Sequence, residues 1–411
     1  MKKLAINVLV TLCLSIFINC SGKRQSAEAV TTDSTKVDST ATLQIDSTVT
    51  QNVAPPVQIE KDTVLDNAAR FIAGLPQLYE SSYSALEKDK YWIEYKQSMD
   101  ANWKKMSDTR LSKIATWEKD VFSKSIEDSL TLFYPFSGPD FLHANFLFPR
   151  APKYVLAALE PIREVVALDA SSEKFRDEFL DSLGHSLRDI FNKSYFITNH
   201  MEKDLKQVKG VLPALYFFIE RTNHELLSQK FITIDSLGNE TEVGAKKINW
   251  QKTPCVKIIF RDRGTQEIKT LYYFSVSISN GGLKDRPGFV KFVNNLAPFN
   301  SFVKSASYLM HKDAFTKIKD LLVSNSHAIF QDDTGMPYRY VKNKLNWKGT
   351  FFGEYVKPVK DFSSELYQTD LDSAYRASKA QPLPFSLGYH WSTKKQNYML
   401  FSKEKGATAN K

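Results

Sequence analysis

The spacing of apolar residues changes along the chain, and this change constrains the fold more than any other feature. Between Leu75 and Phe122, large apolar residues recur every three or four positions, which is the spacing of one face of an α-helix. From Phe231 onward, short apolar runs alternate with turn-forming residues, which is typical of β-hairpins. The sequence therefore predicts an α+β protein, with N-terminal helices followed by a mainly antiparallel sheet that contains intervening short helices.

The first half of the chain contains patterns for several helices and one strand. Residues 75–122 predict two consecutive helices with a break near Ser107, because Ser and the following Asp favour helix caps. The apolar run 211–219 predicts a buried helix, and residues 154–159 predict a buried strand. The prolines and glycine within 133–148 predict a loop that is held in place by aromatic packing.

Three hairpins are predicted in the second half, each around a turn that contains Gly. They join residues 231–234 to 240–243, 255–260 to 268–278, and 327–331 to 338–341. Strands are also expected at 350–356, 388–392 and 398–401, with short helices at 289–293 and 314–322. Because hairpins dominate and no strand–helix–strand rhythm is evident, a mainly antiparallel sheet is expected.

The composition excludes some classes of function. With 42% hydrophobic and 13% aromatic residues in a chain of 411, the composition is that of a globular protein. The net charge is +9, but no stretch gathers five or more basic residues, so nucleic-acid binding is not expected. The seven histidines are dispersed and no glycine-rich phosphate loop occurs, so the sequence predicts neither a metal site nor a cofactor.

The first twenty residues have the layout of a secretory signal. Two lysines precede a mostly apolar run, residues 4–18, and Cys20 follows. This order resembles the signal of bacterial lipoproteins, which implies that residues 1–19 are removed and that Cys20 is lipidated. Phe17 and Asn19 stand where such signals usually carry Leu and a small residue, so an ordinary cleaved signal or an uncleaved anchor is the alternative. An anchor is disfavoured because a membrane-spanning helix needs about 20 apolar residues.

Cysteine usage excludes an intramolecular disulfide in the mature chain. Cys13 leaves with the signal and Cys20 carries lipid, so Cys255 is the one free thiol that remains. Cys255 begins an apolar, strand-like run, which predicts a buried and unreactive side chain rather than a nucleophile.

Composition divides the rest of the chain into a stalk, a body and a tail. Residues 20–64 are rich in Ser and Thr and almost free of aromatic residues, which predicts a disordered stalk. Residues 65–405 predict a single globular domain, divisible into a helical part (65–225) and a sheet-rich part (226–405). Residues 406–411 predict a disordered tail.

Short Asp-Ser-Thr words recur in the stalk. They resemble the O-glycosylation sequon of one group of Gram-negative bacteria, in which Asp precedes Ser or Thr and a small or aliphatic residue. The resemblance implies four acceptors, which are Ser34, Ser39, Ser47 and Thr63. A low-complexity linker in which Asp adds solubility is the alternative interpretation.

Three segments of the body resemble an uncharacterised family of bacterial envelope proteins. They are Tyr134-Pro-Phe-Ser-Gly-Pro-Asp-Phe141, Lys304-Ser-Ala-Ser-Tyr-Leu-Met-His311 and Gln331-Asp-Asp-Thr-Gly-Met-Pro-Tyr-Arg339. The resemblance implies no activity and no ligand.

The candidate catalytic residues are Asp140, His143, Asp333 and Arg339. Asp140 and His143 lie three positions apart after Pro139, so a helix that starts there would present them on one face as an oriented acid–base pair. A helix cap with a hydrogen-bonded histidine explains the same spacing without catalysis.

The segment Asp333-Thr334-Gly335 resembles the catalytic loop of aspartic proteases. That mechanism requires two aspartates that share a proton, and the chain has no second copy of the motif. A turn between two strands is the alternative. Asp332 and Glu354 are further carboxylates for a glycan-binding or glycan-cleaving cleft.

Two functions are compatible with these patterns. The first is a non-enzymatic lipoprotein of the cell envelope, anchored by Cys20 and binding an envelope glycan or a protein partner. Ser21 favours the outer membrane, since Asp at that position retains lipoproteins inside in the best-known sorting system. The alternative is a hydrolase that acts on envelope glycan or peptide through Asp140, His143 and Asp333.

Replacing the predicted lipidation site tests the anchor. We expect Cys20→Ala to abolish palmitate labelling and to move the protein from the membrane fraction to the soluble fraction, because a lipid chain supplies the membrane affinity. Cys13→Ala is the control, since it leaves the lipidation site intact. A Cys20→Ala protein that stays membrane-bound contradicts the prediction.

Overall fold

The computed structural model describes residues 59–197, 208, 210–245, 253–344, 347–392 and 395–403. Val57–Lys411 forms one compact unit. The predicted signal, most of the stalk, the tail, and the modification sites Cys20, Ser34, Ser39 and Ser47 lie outside the described residues.

In the ranges given above, ten strands form one sheet. They are β1 (Leu132–Pro135), β2 (Lys153–Ala158), β3 (His224–Ile234), β4 (Glu240–Val243), β5 (Thr253–Asp262), β6 (Ile268–Ser275), β7 (Phe299–Val303), β8 (Ser326–Gln331), β9 (Trp347–Gly353) and β10 (Asn397–Lys403).

Eleven α-helices accompany the strands in the described part of the chain. They are α1 (Thr63–Ile72), α2 (Lys90–Met106), α3 (Ser112–Trp117), α4 (Phe141–Leu147), α5 (Glu173–Lys193), α6 (Leu212–Arg221), α7 (Asn280–Asp285), α8 (Pro287–Asn295), α9 (Thr316–Asn325), α10 (Tyr338–Lys344) and α11 (Thr369–Ala377).

The strand order is β4-β3-β5-β6-β2-β1-β7-β8-β10-β9. Five of the described strand pairs are antiparallel and lie toward the two ends of the sheet. The four pairs that join β6, β2, β1, β7 and β8 at the centre are parallel. The predicted α+β class is confirmed, and the sheet within it is mixed.

The parallel centre arises from strand–helix–strand units that the sequence pattern did not reveal. Helix α4 connects β1 to β2, and α9 connects β7 to β8. Parallel neighbours need such a crossover because a tight turn cannot return the chain to the same end of the sheet. The expectation of a loop across 133–148 is wrong, since this segment supplies the end of β1 and all of α4. Seven residues of α4 are too few to show a helical period.

Helices cover both faces of the sheet, and its central strands are buried on both sides. Side chains alternate along each central strand between two apolar clusters: Tyr134 lies in one and Phe133 in the other, as do Phe330 and Ile329 on β8. The first cluster includes the side chains of α1 to α6, and the second includes those of α7 to α11. Strands that are buried on both faces are mostly apolar in sequence. Polar groups are therefore concentrated at the edges of such a sheet and at the ends of its strands.

The chain does not break at Ser107 as predicted. The helix continues through this residue, but its winding is uneven. Two π-helical segments, Ser107–Leu111 and Glu118–Phe122, connect α2 to α3 and α3 to the turn that follows. Each wider turn absorbs an extra residue, which keeps Leu111, Ile114 and Trp117 on the buried face. Ser107 itself keeps helical backbone angles instead of capping a new helix.

Two of the three hairpins are confirmed. β3 pairs with β4, and β5 pairs with β6, both antiparallel across the predicted turns. The third hairpin is wrong, because the segment from Tyr338 forms α10 and β8 pairs with β7 and β10 instead. The predicted strand at 388–392 is a turn.

The folded body begins earlier than the predicted boundary at residue 65. Asp62 caps α1 by accepting a hydrogen bond from the Leu65 N–H (3.0 Å). Lys61 forms ion pairs with Asp66 and Glu225, both at 2.7 Å. Thr63, a predicted glycosylation acceptor, is exposed as the first residue of this helix.

Candidate functional site

A crevice of about 440 Å³ opens at the carboxyl ends of β6, β2, β1 and β7. In the sheet, strands β2 to β6 all lie on one side of β1, and strands β7 to β10 all lie on the other side. The strand order therefore reverses between β1 and β7. In sheets of this kind, ligands bind in the crevice outside the carboxyl ends of the strands at that reversal.

The turn after β1 forms the floor of the crevice. Phe136 and Gly138 both have positive φ, at 59° and 54°, and Pro139 then leads into α4. Asp140 caps α4 by accepting a hydrogen bond from the His143 N–H (3.1 Å). The predicted cap is therefore present, and it brings the Asp140 carboxylate against the crevice.

Asp140 is the centre of a fully buried polar network. Its Oδ1 atom lies 2.9 Å from His143 Nδ1, and its Oδ2 atom accepts a hydrogen bond from the Tyr134 hydroxyl (3.1 Å). The Lys304 ammonium lies 2.6 Å from Oδ2 and donates a second hydrogen bond to the Ser194 carbonyl. Lys304 follows β7, so this ion pair joins the loops that leave β1 and β7.

Burial and charge act in opposite directions on these groups. Burial alone would raise the pKa of Asp140, but the neighbouring His143 and Lys304 hold that pKa well below its usual range. Burial lowers the pKa of His143 to about 4 and also lowers the pKa of Lys304. Because the pKa of His143 is lowered to about 4, its imidazole is neutral at neutral pH beside the Asp140–Lys304 pair. The Nδ1 atom of His143 lies 2.9 Å from the Asp140 carboxylate, which only accepts hydrogen bonds, and 3.2 Å from the Lys304 Nζ atom, which only donates them.

A second buried network lies at the end of β8. The Asp332 carboxylate accepts hydrogen bonds from the Thr334 N–H (3.0 Å) and from the Ser305 N–H (2.9 Å). The Asp333 carboxylate accepts from the Tyr308 hydroxyl (2.5 Å) and from the Asn397 amide (2.9 Å). Burial, together with the neighbouring Asp333 charge, raises the pKa of Asp332 to about 7.

The two networks are connected through consecutive residues. Lys304 bonds to Asp140, and the next residue, Ser305, bonds to Asp332. Ser194 closes the connection from the side of α5, since its carbonyl accepts from Lys304 and its hydroxyl accepts from the Gly388 N–H (2.8 Å). The ends of β7 and β8 are thereby held against the same helix end.

The predicted candidates are divided among different environments. Asp140 lines the crevice, whereas His143 lies fully buried beneath it and is not part of the lining. Asp333 belongs to the second network, and Arg339 is exposed on the first turn of α10. The predicted cluster of four therefore does not assemble. Glu354 is exposed and pairs with Lys395 (3.0 Å), outside the crevice.

The segment Asp332-Asp333-Thr334-Gly335 forms a turn rather than a protease loop. The Gly335 N–H donates to the Asp332 carbonyl (3.2 Å), which closes the turn, and the chain then enters α10. Cys255 lies buried on β5 as a free thiol, and burial raises its pKa well above the usual value. An inert thiol is what the sequence predicts at this position.

Sequence reasoning missed Lys304 and Glu160 as site residues. Each lies just after a central parallel strand: Lys304 follows β7 directly, and Glu160 lies two residues after the end of β2. Charged residues at the carboxyl ends of such strands are the signal that would have found them. The sequence predicts a buried strand at 154–159 but none at 299–303, where Asn300 and Ser301 interrupt the apolar pattern, and it does not predict parallel pairing for either segment.

Strained backbone is concentrated around the crevice. Five of the seven described non-glycine residues with positive φ line it or adjoin a lining residue: Phe136, Ser194, Ser305, Ser307 and Tyr308. This conformation is costly for residues with a Cβ and persists where surrounding contacts enforce it, commonly at functional sites.

Three comparisons place no known protein beside this chain. No protein-family model, no curated protein and no solved structure matches it. Within the described ranges, no helix is both long enough and apolar enough to cross a membrane. The same ranges contain no group of three or more His, Cys, Asp or Glu side chains arranged to hold a metal ion.

Removing the Lys304 ammonium tests how much the folded state depends on the ion pair with Asp140. We expect Lys304→Met to lower the free energy of unfolding by about 3–5 kcal/mol, because Asp140 is left as an unpaired buried carboxylate. Lys395→Met removes the cation of an exposed pair with Glu354 and should cost less than about 1 kcal/mol. Urea denaturation measures both variants, and a loss below about 1 kcal/mol in Lys304→Met contradicts the expectation.

The raised pKa of Asp332 predicts a pH dependence of stability. In the folded protein the carboxyl group holds its proton up to a pKa of about 7, against 3.8 as the usual value. The folded state therefore binds more protons in this interval, and the contribution of Asp332 to stability falls as the pH rises through it.

We expect the unfolding free energy of the natural protein, minus that of Asp332→Asn, to fall between about pH 4 and pH 7 and to stay constant above. Urea denaturation across this range measures the difference. Asp120→Asn, at an exposed position, is the control. A difference that rises with pH, or that does not change, contradicts the assignment.

Proposed function

We propose that this chain is a lipid-anchored protein of the cell envelope whose body binds a small organic ligand in the crevice between β1 and β7. The observation that carries the proposal is the position of the crevice at the carboxyl ends of the parallel strands, where their order reverses. Its volume of about 440 Å³ is within the range of sites for small molecules.

The lining has the composition of a ligand site. Half-buried aromatic rings form its walls, among them Phe136, Phe362 and Tyr389. The hydroxyl of Ser137 is buried and has no hydrogen-bond partner among the described residues. A polar atom in this state loses its hydrogen bonds to water, so a ligand that bonds to it would recover that free energy.

The signal-like N-terminus supports the proposed lipid anchor. The stalk would then act as a tether, and its length follows from the residue at which the folded body begins. From Cys20 to Lys61 the chain has about 40 residues, and a flexible chain of that length has a root-mean-square end-to-end distance of about 35 Å. Such a tether would hold the crevice away from the lipid surface, where a diffusing ligand can reach it.

The alternative of a hydrolase has weaker support. Asp140 touches the crevice, but its oxygens are occupied by Lys304, His143 and Tyr134. His143 is fully buried and does not line the crevice, so it has no direct contact with a substrate there. General acid–base catalysis requires a group within hydrogen-bond reach of the reacting atom. Binding is therefore the function that the geometry favours.

Thermal unfolding with defined probes tests the proposal. The purified full chain is heated with nucleosides, amino acids, and mono- and disaccharides of envelope glycans, each added separately. A ligand that binds only the folded state stabilises it by RT ln(1 + [L]/Kd), so Tm rises with the logarithm of the ligand concentration above Kd. We expect at least one probe class to raise the Tm of the natural protein and to lose its effect when the mouth of the crevice is blocked.

Ser277→Trp supplies the block, because Ser277 is exposed and lines the crevice. Ser125→Trp adds the same side chain at an exposed position outside the lining and should leave the shift unchanged. The proposal is wrong if no probe raises Tm, or if both tryptophan variants respond as the natural protein does.

A further inference from the structure

Glu160 is a buried carboxylate that faces the crevice without a cationic partner. It lies two residues after the end of β2 and lines the crevice, with 8% of its surface exposed. The Tyr273 hydroxyl donates a hydrogen bond to its Oε2 atom (3.2 Å), and no ion pair involves it within the described ranges. Burial raises its pKa. A carboxylate in this state gains strongly from additional hydrogen-bond donors, which a ligand can supply.

The position of Glu160 in the sheet points to ribose hydroxyls as those donors. In doubly wound sheets the turn after the first strand carries glycine, and an acidic residue about 20 positions later bonds to the ribose. Here Gly138 has positive φ in the turn after β1, and Glu160 follows 22 residues later at the end of the adjacent β2. Both residues line the same crevice.

The charge of the crevice disfavours a phosphate group. Its charged lining residues are three carboxylates, Asp140, Glu160 and Asp361, and one ammonium, Lys304. Lys304 is already paired with Asp140, so it offers no unpaired positive charge to a phosphate. In dinucleotide-binding folds the pyrophosphate lies at the N-terminus of the first helix, but here the Asp140 carboxylate caps that helix. A neutral or cationic ligand fits this field.

The aromatic walls can accept a flat ring. Half-buried aromatic side chains line the crevice: Phe136, Tyr195, Phe196, Phe315, Phe362 and Tyr389. Phe136 and Phe315 lie with their ring centroids 5.8 Å apart, and Phe362 and Tyr389 lie 4.9 Å apart. A nucleobase presents a π-face of the same kind, and stacking on aromatic side chains stabilises bound bases.

We propose that the crevice binds a nucleoside that carries no phosphate, with its ribose hydroxyls donating hydrogen bonds to Glu160 and its base stacked on the aromatic walls. This inference rests on the proposed function and names its ligand class. It combines a buried carboxylate that lacks a cation, a glycine turn on the neighbouring strand, and a crevice with excess negative charge.

Isothermal titration of the purified full chain with four probes tests the proposal. The probes are adenosine, 2′,3′-dideoxyadenosine, S-adenosylmethionine and NAD⁺. We expect adenosine and the cationic S-adenosylmethionine to bind at least about tenfold more tightly than either dideoxyadenosine, which lacks the hydroxyls, or NAD⁺, which carries two phosphates. This comparison uses the natural protein and does not depend on the folding of a variant.

Glu160→Gln, whose side chain has nearly the same shape, should weaken the binding of adenosine at least about tenfold and leave the binding of dideoxyadenosine unchanged. Glu354→Gln changes an exposed carboxylate outside the crevice and is the matched control. Equal binding of adenosine and dideoxyadenosine, tighter binding of NAD⁺, or unchanged adenosine binding in Glu160→Gln overturns the nucleoside assignment. If sugars or amino acids bind and nucleosides do not, the nucleoside proposal fails while the proposed crevice function stands.

Discussion

The ion pair between Asp140 and Lys304 is the interaction on which the geometry of the candidate site depends. It lies where the strand order reverses, and it joins the turn after β1 to the end of β7. Lys304 also bonds to the Ser194 carbonyl at the end of α5, so one ammonium holds three segments together. Buried charge pairs add little net stability, because desolvation cancels most of their attraction. We interpret this pair as specifying which segments meet.

The second network connects the end of β8 to the same group of segments. Ser305, next to Lys304, donates its backbone N–H to Asp332, and Tyr308 donates its hydroxyl to Asp333. Two adjacent buried carboxylates are unfavourable unless donors surround them, and here each receives at least two hydrogen bonds. The positive φ of Ser305 and Tyr308 accompanies these bonds. The carboxyl ends of the central strands thus form a polar edge between two apolar layers.

The division between apolar layers and a polar edge also explains how a small crevice can be selective. Helices cover both faces of the central strands, so ligand contacts are restricted to the strand ends and the loops that follow them. At that edge the charge is predominantly negative and the walls are aromatic. Selectivity then follows from which donors and rings a molecule carries, rather than from shape alone.

The sequence by itself determined the α+β class, two of the hairpins, the buried Cys255 and the cap at Asp140, because each depends on local spacing or on one turn. It did not reveal the parallel centre, since α4 is too short to show a period and parallel strands pair with distant segments. Only the tertiary structure shows that Asp140 contacts Lys304, that Arg339 is exposed, and that Glu160 lines the crevice. These residues are far apart in the chain, and contacts between them arise from strand order, which local sequence patterns do not encode.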